Sequence, residues 1–400
     1  MRIIAGLSRC LRGLAGAVLA ALALVPAAHA GGAVELPVIL PLSGSAAFTG
    51  IGTRDTLSVV EATVNAQGGI AGRPVHFVLH DDQTSPQVAV QLVGQVLGAH
   101  PPVILGSTIT AMCNAEAPLV AQGPVMYCYS PGIHPAAGGW VYSGTISTLD
   151  LSRVLIRFFR LKGWTRIAVM TSTDASGQDA ERGIAANLGL PENRSIEIVD
   201  REHVNPGDVS VAAHIDNVKS AHPQAFIAWT TGTAVATIFK AMIQEGLDVP
   251  VGTTNGNMSR AQMLQYAAFA PKRLYIPSGP YTEHAGIGRL DPRVEAAQQA
   301  FYAAIKPHGL AVDNNSATAW DATMIVLSGL RKLGPDATAG QLRDYINGLT
   351  DYPGIWGIYN YRAVPQRGLG EANAVVTRWM PATGRFDWAS RPGGKPLPGP

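Results

Sequence analysis

Glu35-Leu-Pro-Val-Ile-Leu-Pro-Leu-Ser-Gly-Ser-Ala-Ala-Phe-Thr-Gly-Ile-Gly52 begins as a short apolar run and breaks at Pro41. It then passes through glycine and small hydroxyl residues into an amphipathic stretch. The apolar run is strand-like in length, and the amphipathic stretch predicts a helix over Arg54–Ala66. Strand, glycine loop and helix in that order begin a βαβ unit. Such units bind ligands where the strand ends and the helix N-terminus offers N–H groups.

The same rhythm runs outward along the chain. Strands are predicted at Glu35–Leu40, Val75–His80, Val103–Leu105, Val125–Tyr129, Arg166–Met170, Ile196–Asp200, Ala225–Trp229 and Leu274–Pro277. Helical patterns fall between and after them at Pro86–Leu97, Ala111–Ala121, Leu149–Leu161, Gln178–Leu188, Val209–Ala221, Ala234–Glu245 and Arg293–Lys306. Alternation of this kind predicts an α/β fold with parallel sheets covered on both faces. Eight strands exceed one unit of ~120 residues, so two doubly wound lobes fit the length better than one sheet. Gly138–Leu149, Pro277–Gly288 and Tyr352–Gly370 break the rhythm and are candidates for crossing between lobes. Two last helices, Ala317–Leu333 and Thr338–Leu349, precede a tail in which Tyr359–Tyr361 and Val375–Met380 read as hairpin strands around Pro365–Gly370. The Pro/Gly-rich Arg391–Pro400 reads as a frayed end.

Several classes of function are excluded early. A dinucleotide fingerprint needs G-x-G-x-x-G, but Gly50-Ile-Gly52-Thr-Arg-Asp55 puts a carboxylate at the third glycine. Charged residues are 14% of the chain, against a typical ~25%, so a nucleic-acid partner is not expected. With 44 glycines and 28 prolines in 400 residues, the chain stays below the ~25–30% that marks low-complexity disorder. No nucleophile elbow, H-E-x-x-H or C-x-x-C is present. Asp81-Asp82 has the composition of an acid pair, but adjacent side chains diverge, and a capping and surface role fits better. His76 and His80 alternate with Phe77 and Leu79 as on a strand face, and Glu283-His284 shows no third partner.

The formal charge of +2 is local. Arg2, Arg9 and Arg12 precede an apolar run from Leu14 to Val25, and Ala28-His29-Ala30 closes it with small residues. That layout predicts a secretory signal over residues 1–30; the apolar run is too short for the ~20 residues a span needs. Export would leave a nearly neutral, soluble chain in an oxidising compartment. Only Cys113 and Cys128 remain there, at a helix start and the next strand's end. A bridge is geometrically open to them, with two buried thiols as the alternative.

Candidate ligand groups cluster at strand ends. Gly106-Ser-Thr108-Ile-Thr110 opens a helix, and Tyr129-Ser130-Pro-Gly-Ile-His134 follows the next strand. Hydroxyls beside helix N–H groups suit a carboxylate or amide; ordinary capping also favours Ser and Thr there. His134 reads equally as an anion ligand or as a solvated loop residue. Thr171–Gly177 with Ser176, Trp229–Thr233 with Thr231, and Gly252–Asn257 with Thr254 and Asn255 repeat the arrangement in the second half. Facing polar loops on two lobes predict a cleft that closes on a small solute.

These residues resemble the periplasmic solute-binding proteins of the leucine/isoleucine/valine-binding type, receptors for ATP-driven importers. The likeness rests on Pro41-Leu-Ser-Gly44 with Gly50, on Val64-Asn-Ala-Gln-Gly-Gly-Ile-Ala-Gly-Arg73, and on Asp81-Asp-Gln-Thr-Ser-Pro86. Lys162-Gly-Trp164 and Phe239–Gly246 before Val249-Pro250 also fit, and the likeness spans roughly residues 35–385. It implies two lobes joined by three crossovers, with residues 31–147 and 279–352 in one, and 148–278 and 353–390 in the other. It further implies that Thr110 meets a solute carboxylate and that Ser130–His134 is the second carboxylate-binding segment. Thr49, with Phe48 beside it, and Ser176 stand where relatives often place aromatics. Near the first crossover Thr148, rather than Asp150, aligns with an acidic contact. The acid that receives an α-ammonium has no counterpart, since Thr254 and Asn255 are neutral. A buried ammonium without a carboxylate costs several kcal/mol, so a small carboxylate or amide is expected over an unmodified branched-chain amino acid. The resemblance implies a monomer without cofactor or catalysis that delivers solute to an inner-membrane permease. A ligand-sensing subunit of a signalling system and an exported hydrolase are the alternatives.

Overall fold

The computed structural model describes residues 32–283 and 290–397. The predicted secretory segment and His284 lie outside them.

The first sheet holds β1 (Val34–Leu40), β2 (Val75–Asp81), β3 (Val103–Gly106), β4 (Val125–Cys128) and β5 (Val141–Ser143), in the order β2-β1-β3-β4-β5. All its pairings are parallel, from Val34 opposite Val75 to Leu40 opposite Asp81 in the first pair. The alternation of side chains along a strand explains its two apolar faces. Leu36, Val38 and Leu40 enter a core shared with Leu57 and Val60 of α1 (Ala47–Ala66). Ile39, Ile104 and Met126 face the opposite way, onto Val93 and Val96 of α2 (Pro86–Leu97) and Cys113 of α3 (Thr110–Glu116).

The second sheet repeats that order and extends it. Its strands are β6 (Arg166–Ser172), β7 (Glu197–Val204), β8 (Ala225–Trp229), β9 (Val251–Gly252), β10 (Leu274–Ser278), β13 (Val375–Met380) and β14 (Arg385–Trp388). The sheet order is β14-β13-β10-β9-β8-β6-β7, with β13 antiparallel to both its neighbours. A small hairpin of β11 (Tyr352–Gly354) and β12 (Gly357–Tyr359) stands apart. The second sheet is covered by α4 (Thr148–Leu161), α5 (Ala175–Leu188), α6 (Ala212–Ser220) and α7 (Ala234–Gln244); α8 (Arg260–Gln265) follows β9. Ile167 to Met170 are fully buried along β6, as expected of a parallel strand covered on both faces. Returning to the first lobe, α9 (Pro292–Ile305) and α10 (Asn314–Leu333) pack on α1, and α11 (Ala339–Gly348) packs on α10. The structure is thus two α/β lobes joined by three crossings of the chain. Among the described residues no helix is long and apolar enough to cross a membrane.

Several elements depart from the sequence-based expectation. Helix α1 starts at Ala47, so Gly50 and Gly52 belong to its first turns rather than to a loop. A side chain at Gly50 would lie 2.2 Å from Pro41 O, so glycine there lets the helix sit directly on the end of β1. The expected pairing of Tyr359–Tyr361 with Val375–Met380 does not form. Val375–Met380 instead joins β10 and β14, and the short partner of Gly357–Tyr359 is Tyr352–Gly354. Strands β5 and β9 and helix α8, with 3, 2 and 6 residues, are too short to announce themselves by periodicity. The final segment is tied down as far as Leu397 rather than frayed. Arg157 Nη1 donates to Gly393 O at 2.8 Å, and Leu397 N to Ala389 O at 2.9 Å.

Candidate functional site

The carboxyl ends of the strands in both sheets present the loops singled out from the sequence, and the two sets of loops meet. On the first lobe, Thr49 in α1 and Thr108 after β3 share a hydroxyl hydrogen bond of 2.7 Å. Thr49 Oγ1 also lies 2.9 Å from Ala46 O. Thr110, the first residue of α3, pairs with Ser130 after β4 through a second hydroxyl bond of 2.7 Å. Thr110 and Ser130 are 4% and 1% exposed, so hydrogen bonding is needed to offset their burial. A disulfide between Cys113 and Cys128, with Cα atoms 6.1 Å apart, fastens α3 to the end of β4 just behind that pair. Phe48 is half-buried, and its carbonyl accepts from Asn315 Nδ2 at 3.3 Å.

On the second lobe, Thr254 accepts from Gly256 N at 3.4 Å, capping the turn that carries Asn255. Asn255 is fully buried, and its Nδ2 donates to Asn314 Oδ1 at 3.1 Å. Asn314 starts α10 and donates its own N–H to Met258 O at 2.9 Å. The start of α10 therefore joins the second lobe's loop to the helix that packs on α1. Its cap, Asp313, accepts from Asn315 N at 3.1 Å and from Arg260 N at 3.0 Å. Burial raises the Asp313 carboxyl to about 6 despite those bonds. Thr231 and Ser176 are half-buried. Beside Thr231, a side chain at Gly232 would stand 3.2 Å from Ser45 O of the first lobe, so the lobes touch there too.

The least expected contact involves His134. Its Nε2 lies 2.5 Å from Oδ1 of Asp179, on α5 of the other lobe. The two side chains differ sharply in exposure, 60% for His134 and 3% for Asp179. Arg182 also reaches Asp179 Oδ1, at 3.0 Å. Burial alone pushes the Asp179 carboxyl up. The hydrogen bond and charge of His134, the nearby Thr148 hydroxyl and the charge of Arg182 outweigh it and hold the carboxyl below its ordinary value. Asp179 Oδ2 is buried, and the Thr148 hydroxyl stands beside the same carboxylate. A side chain at Gly132 would lie 2.6 Å from Thr110 Oγ1 and 3.3 Å from Asp179 Oδ2, so this glycine lets both groups close on the loop.

Arg367 holds that loop from behind. It is 6% exposed and donates to Ser143 Oγ at 2.7 Å, Thr145 O at 2.6 Å, Ile133 O at 2.8 Å and Pro131 O at 3.4 Å. Burial lowers its guanidinium to about 10, against the opposing charges of Asp150 and Asp179. Asp150 itself accepts from Ser147 Oγ at 2.7 Å, at the start of α4.

Two α/β lobes with polar strand ends facing one another are the architecture of solute receptors. The periplasmic binding protein family model matches residues 33–384. The chain belongs to that family. Similar solved structures include a type 1 periplasmic binding protein of Bordetella pertussis Tohama I, 18% identical with a TM-score of 0.76, covering 91% of this chain and 100% of that one. The branched-chain amino acid transporter substrate-binding protein LivJ of Streptococcus pneumoniae, in complex with isoleucine, is 16% identical with a TM-score of 0.73. The alignment covers 88% of this chain and 97% of LivJ. A fatty acid ABC transporter substrate-binding protein of Thermomonospora curvata is 16% identical with a TM-score of 0.72, covering 91% and 90%. At these identities the shared property is the fold. No curated protein sequence matches the chain.

Within this periplasmic binding protein, all ten sequence-derived candidates lie on strand-end loops or the adjoining helix starts. Thr49 and Thr108 form one bonded pair and Thr110 and Ser130 another, while Thr254 and Asn255 sit together on the facing lobe. His134 meets a carboxylate of its own chain. Asp81 and Asp82 divide as adjacent residues should. Asp81 accepts from Leu42 N and Ser43 N at 2.9 and 3.1 Å. Asp82 is fully buried, not at the surface, and accepts from Ser107 Oγ at 2.8 Å. Sequence reasoning missed Asp179, Arg367 and Asn314. Asp179 sits two residues past the quoted Gly177, and Arg367 lies inside the Pro365–Gly370 turn; both positions carried a weak signal.

Proposed function

We propose that the protein is the periplasmic receptor of an ATP-driven importer, without catalytic activity. It would hold a small carboxylate, amide or amino-acid-like solute between residues 31–147 with 279–352 and residues 148–278 with 353–390. The observation that carries this reading is the convergence of the two hydroxyl pairs, Thr49–Thr108 and Thr110–Ser130, with the second lobe's Asn255 and Asp179. Strand carboxyl ends are where open α/β sheets bind ligands. Solute contacts to both lobes favour the closed arrangement by differential affinity, and that arrangement is what a permease would recognise. Among the similar structures, LivJ and the fatty acid binder are named as substrate-binding proteins of transporters, which supports the same role here. Release into the periplasm would follow from the arginine-led apolar segment of residues 1–30.

A thermal-shift screen of the exported chain, refolded to strip bound solute, tests the reading. A panel of amino acids, amides and carboxylates should contain at least one compound that stabilises the protein, by roughly 2.7 kcal/mol at ~100 times its dissociation constant. Silence across the panel would contradict it.

A further inference from the structure

We infer that His134 and Asp179 form a latch between the lobes, so that the protein samples its closed arrangement before any solute arrives and a solute selects it. The inference rests on the receptor reading above. His134 follows β4 of the first sheet, and Asp179 lies on α5, which covers the second. Nε2 of one meets Oδ1 of the other at 2.5 Å, and α3 touches α5 beside them. Asp179 has two further donors, both from its own lobe. Arg182, three residues along α5, reaches the same oxygen at 3.0 Å, and the Thr148 hydroxyl at the start of α4 bonds the carboxylate. Parting the lobes therefore breaks the contact with His134 and leaves Arg182 and Thr148 in place.

Both sides of the latch are held ready. Arg367 fixes the loop that bears His134, through Ile133 O at 2.8 Å and Pro131 O at 3.4 Å. Gly132 lets that loop come close, since a side chain there would lie 3.3 Å from Asp179 Oδ2. The two partners differ in exposure, 60% for the imidazole and 3% for the carboxylate. Closing therefore takes mainly the carboxylate out of water, and a donor from the facing lobe offsets that cost. Asn255 and Asn314 add a second bond across the junction, at 3.1 Å. Where attraction and desolvation nearly cancel, the open and closed arrangements lie close in free energy and both are populated. Solute contacts then draw on a closed form that already exists.

The test measures the distance between nitroxide labels at Leu119→Cys on the first lobe and Val209→Cys on the second, by pulsed dipolar electron resonance. Both positions are exposed, and the native cysteines are bonded to each other and do not take label. The exported chain, refolded to strip solute, should show a closed population beside the open one. His134→Ala should lower the closed-to-open ratio about tenfold, and His134→Gln, which keeps a donor, should lower it less. In an Asp179→Asn background, His134→Ala should change the ratio little, because its partner's charge is already gone. A single open distance that closes only with the best stabilising compound of the panel would overturn the latch and leave the receptor reading intact. A ratio unchanged by His134→Ala would also overturn the latch alone. Distances that move in no variant and with no compound would overturn both.

Discussion

Thr110 and Ser130 illustrate how much a single side chain can carry. Each hydroxyl is buried and engaged with the other at 2.7 Å, so the pair is already oriented before a solute arrives. Thr110→Ala should leave Ser130 without that partner and weaken the best compound of the panel by about 1–3 kcal/mol, the usual cost of stranding a buried polar group. Calorimetric titration of the variant measures this, and an unchanged affinity would remove Thr110 from the site. These two residues were legible in the sequence because both follow apolar strands, where the fold places ligand groups. Asp179 was not. Its role depends on a contact with His134, 45 residues away, and on which face of α5 turns toward the other lobe. A helical pattern alone does not say which polar residue on a helix meets a second domain.

At the scale of elements, the parallel strands were readable because burial on both faces demands continuous apolar runs. Ala225–Trp229 was placed to the residue, and the limits of most others moved by one or two positions. The misses have physical causes. Glycines at the start of α1 look like a loop but serve close packing, and β9 is buried with only two residues, Val251 and Gly252. Arg367 carried only the weak signal of its turn because its acceptors lie more than 200 residues earlier, at Pro131, Ile133, Ser143 and Thr145. It ties the third crossover to the first and to the loop bearing His134. Arg367→Lys should destabilise the protein by about 2 kcal/mol or more in urea unfolding, because one ammonium cannot reach the acceptors a guanidinium fork spans. The disulfide acts locally, fixing α3 on β4. With the cysteines 15 positions apart in sequence, replacing both by serine should cost about 3 kcal/mol. A smaller loss would mean that packing around Ile104 and Met126 already holds the helix.

For the whole molecule, the lobes share buried acids whose ionisation opposes folding. Burial raises Asp313 and Asp321 to about 6, above the ~3.9 of an unfolded aspartate. The folded state therefore binds more protons than the unfolded one between about pH 4 and pH 6, and stability from these groups falls as pH rises through that window. Asp321 accepts from Ile355 N, Trp356 N and Tyr359 OH, and Asp313 caps α10 at the junction of the lobes. Denaturation midpoints across pH 4 to 7 should decline toward neutrality, and Asp313→Asn should flatten the decline; a slope unchanged in the variant would contradict the assignment. The same junction, with Asn255 on Asn314 and His134 on Asp179, is where opening and closing must be felt. Small-angle X-ray scattering of the refolded, exported chain, with and without the best stabilising compound of the panel, tests the central claim that the lobes close on a solute. The account predicts a smaller radius of gyration with the compound present. An unchanged radius at saturation would contradict it.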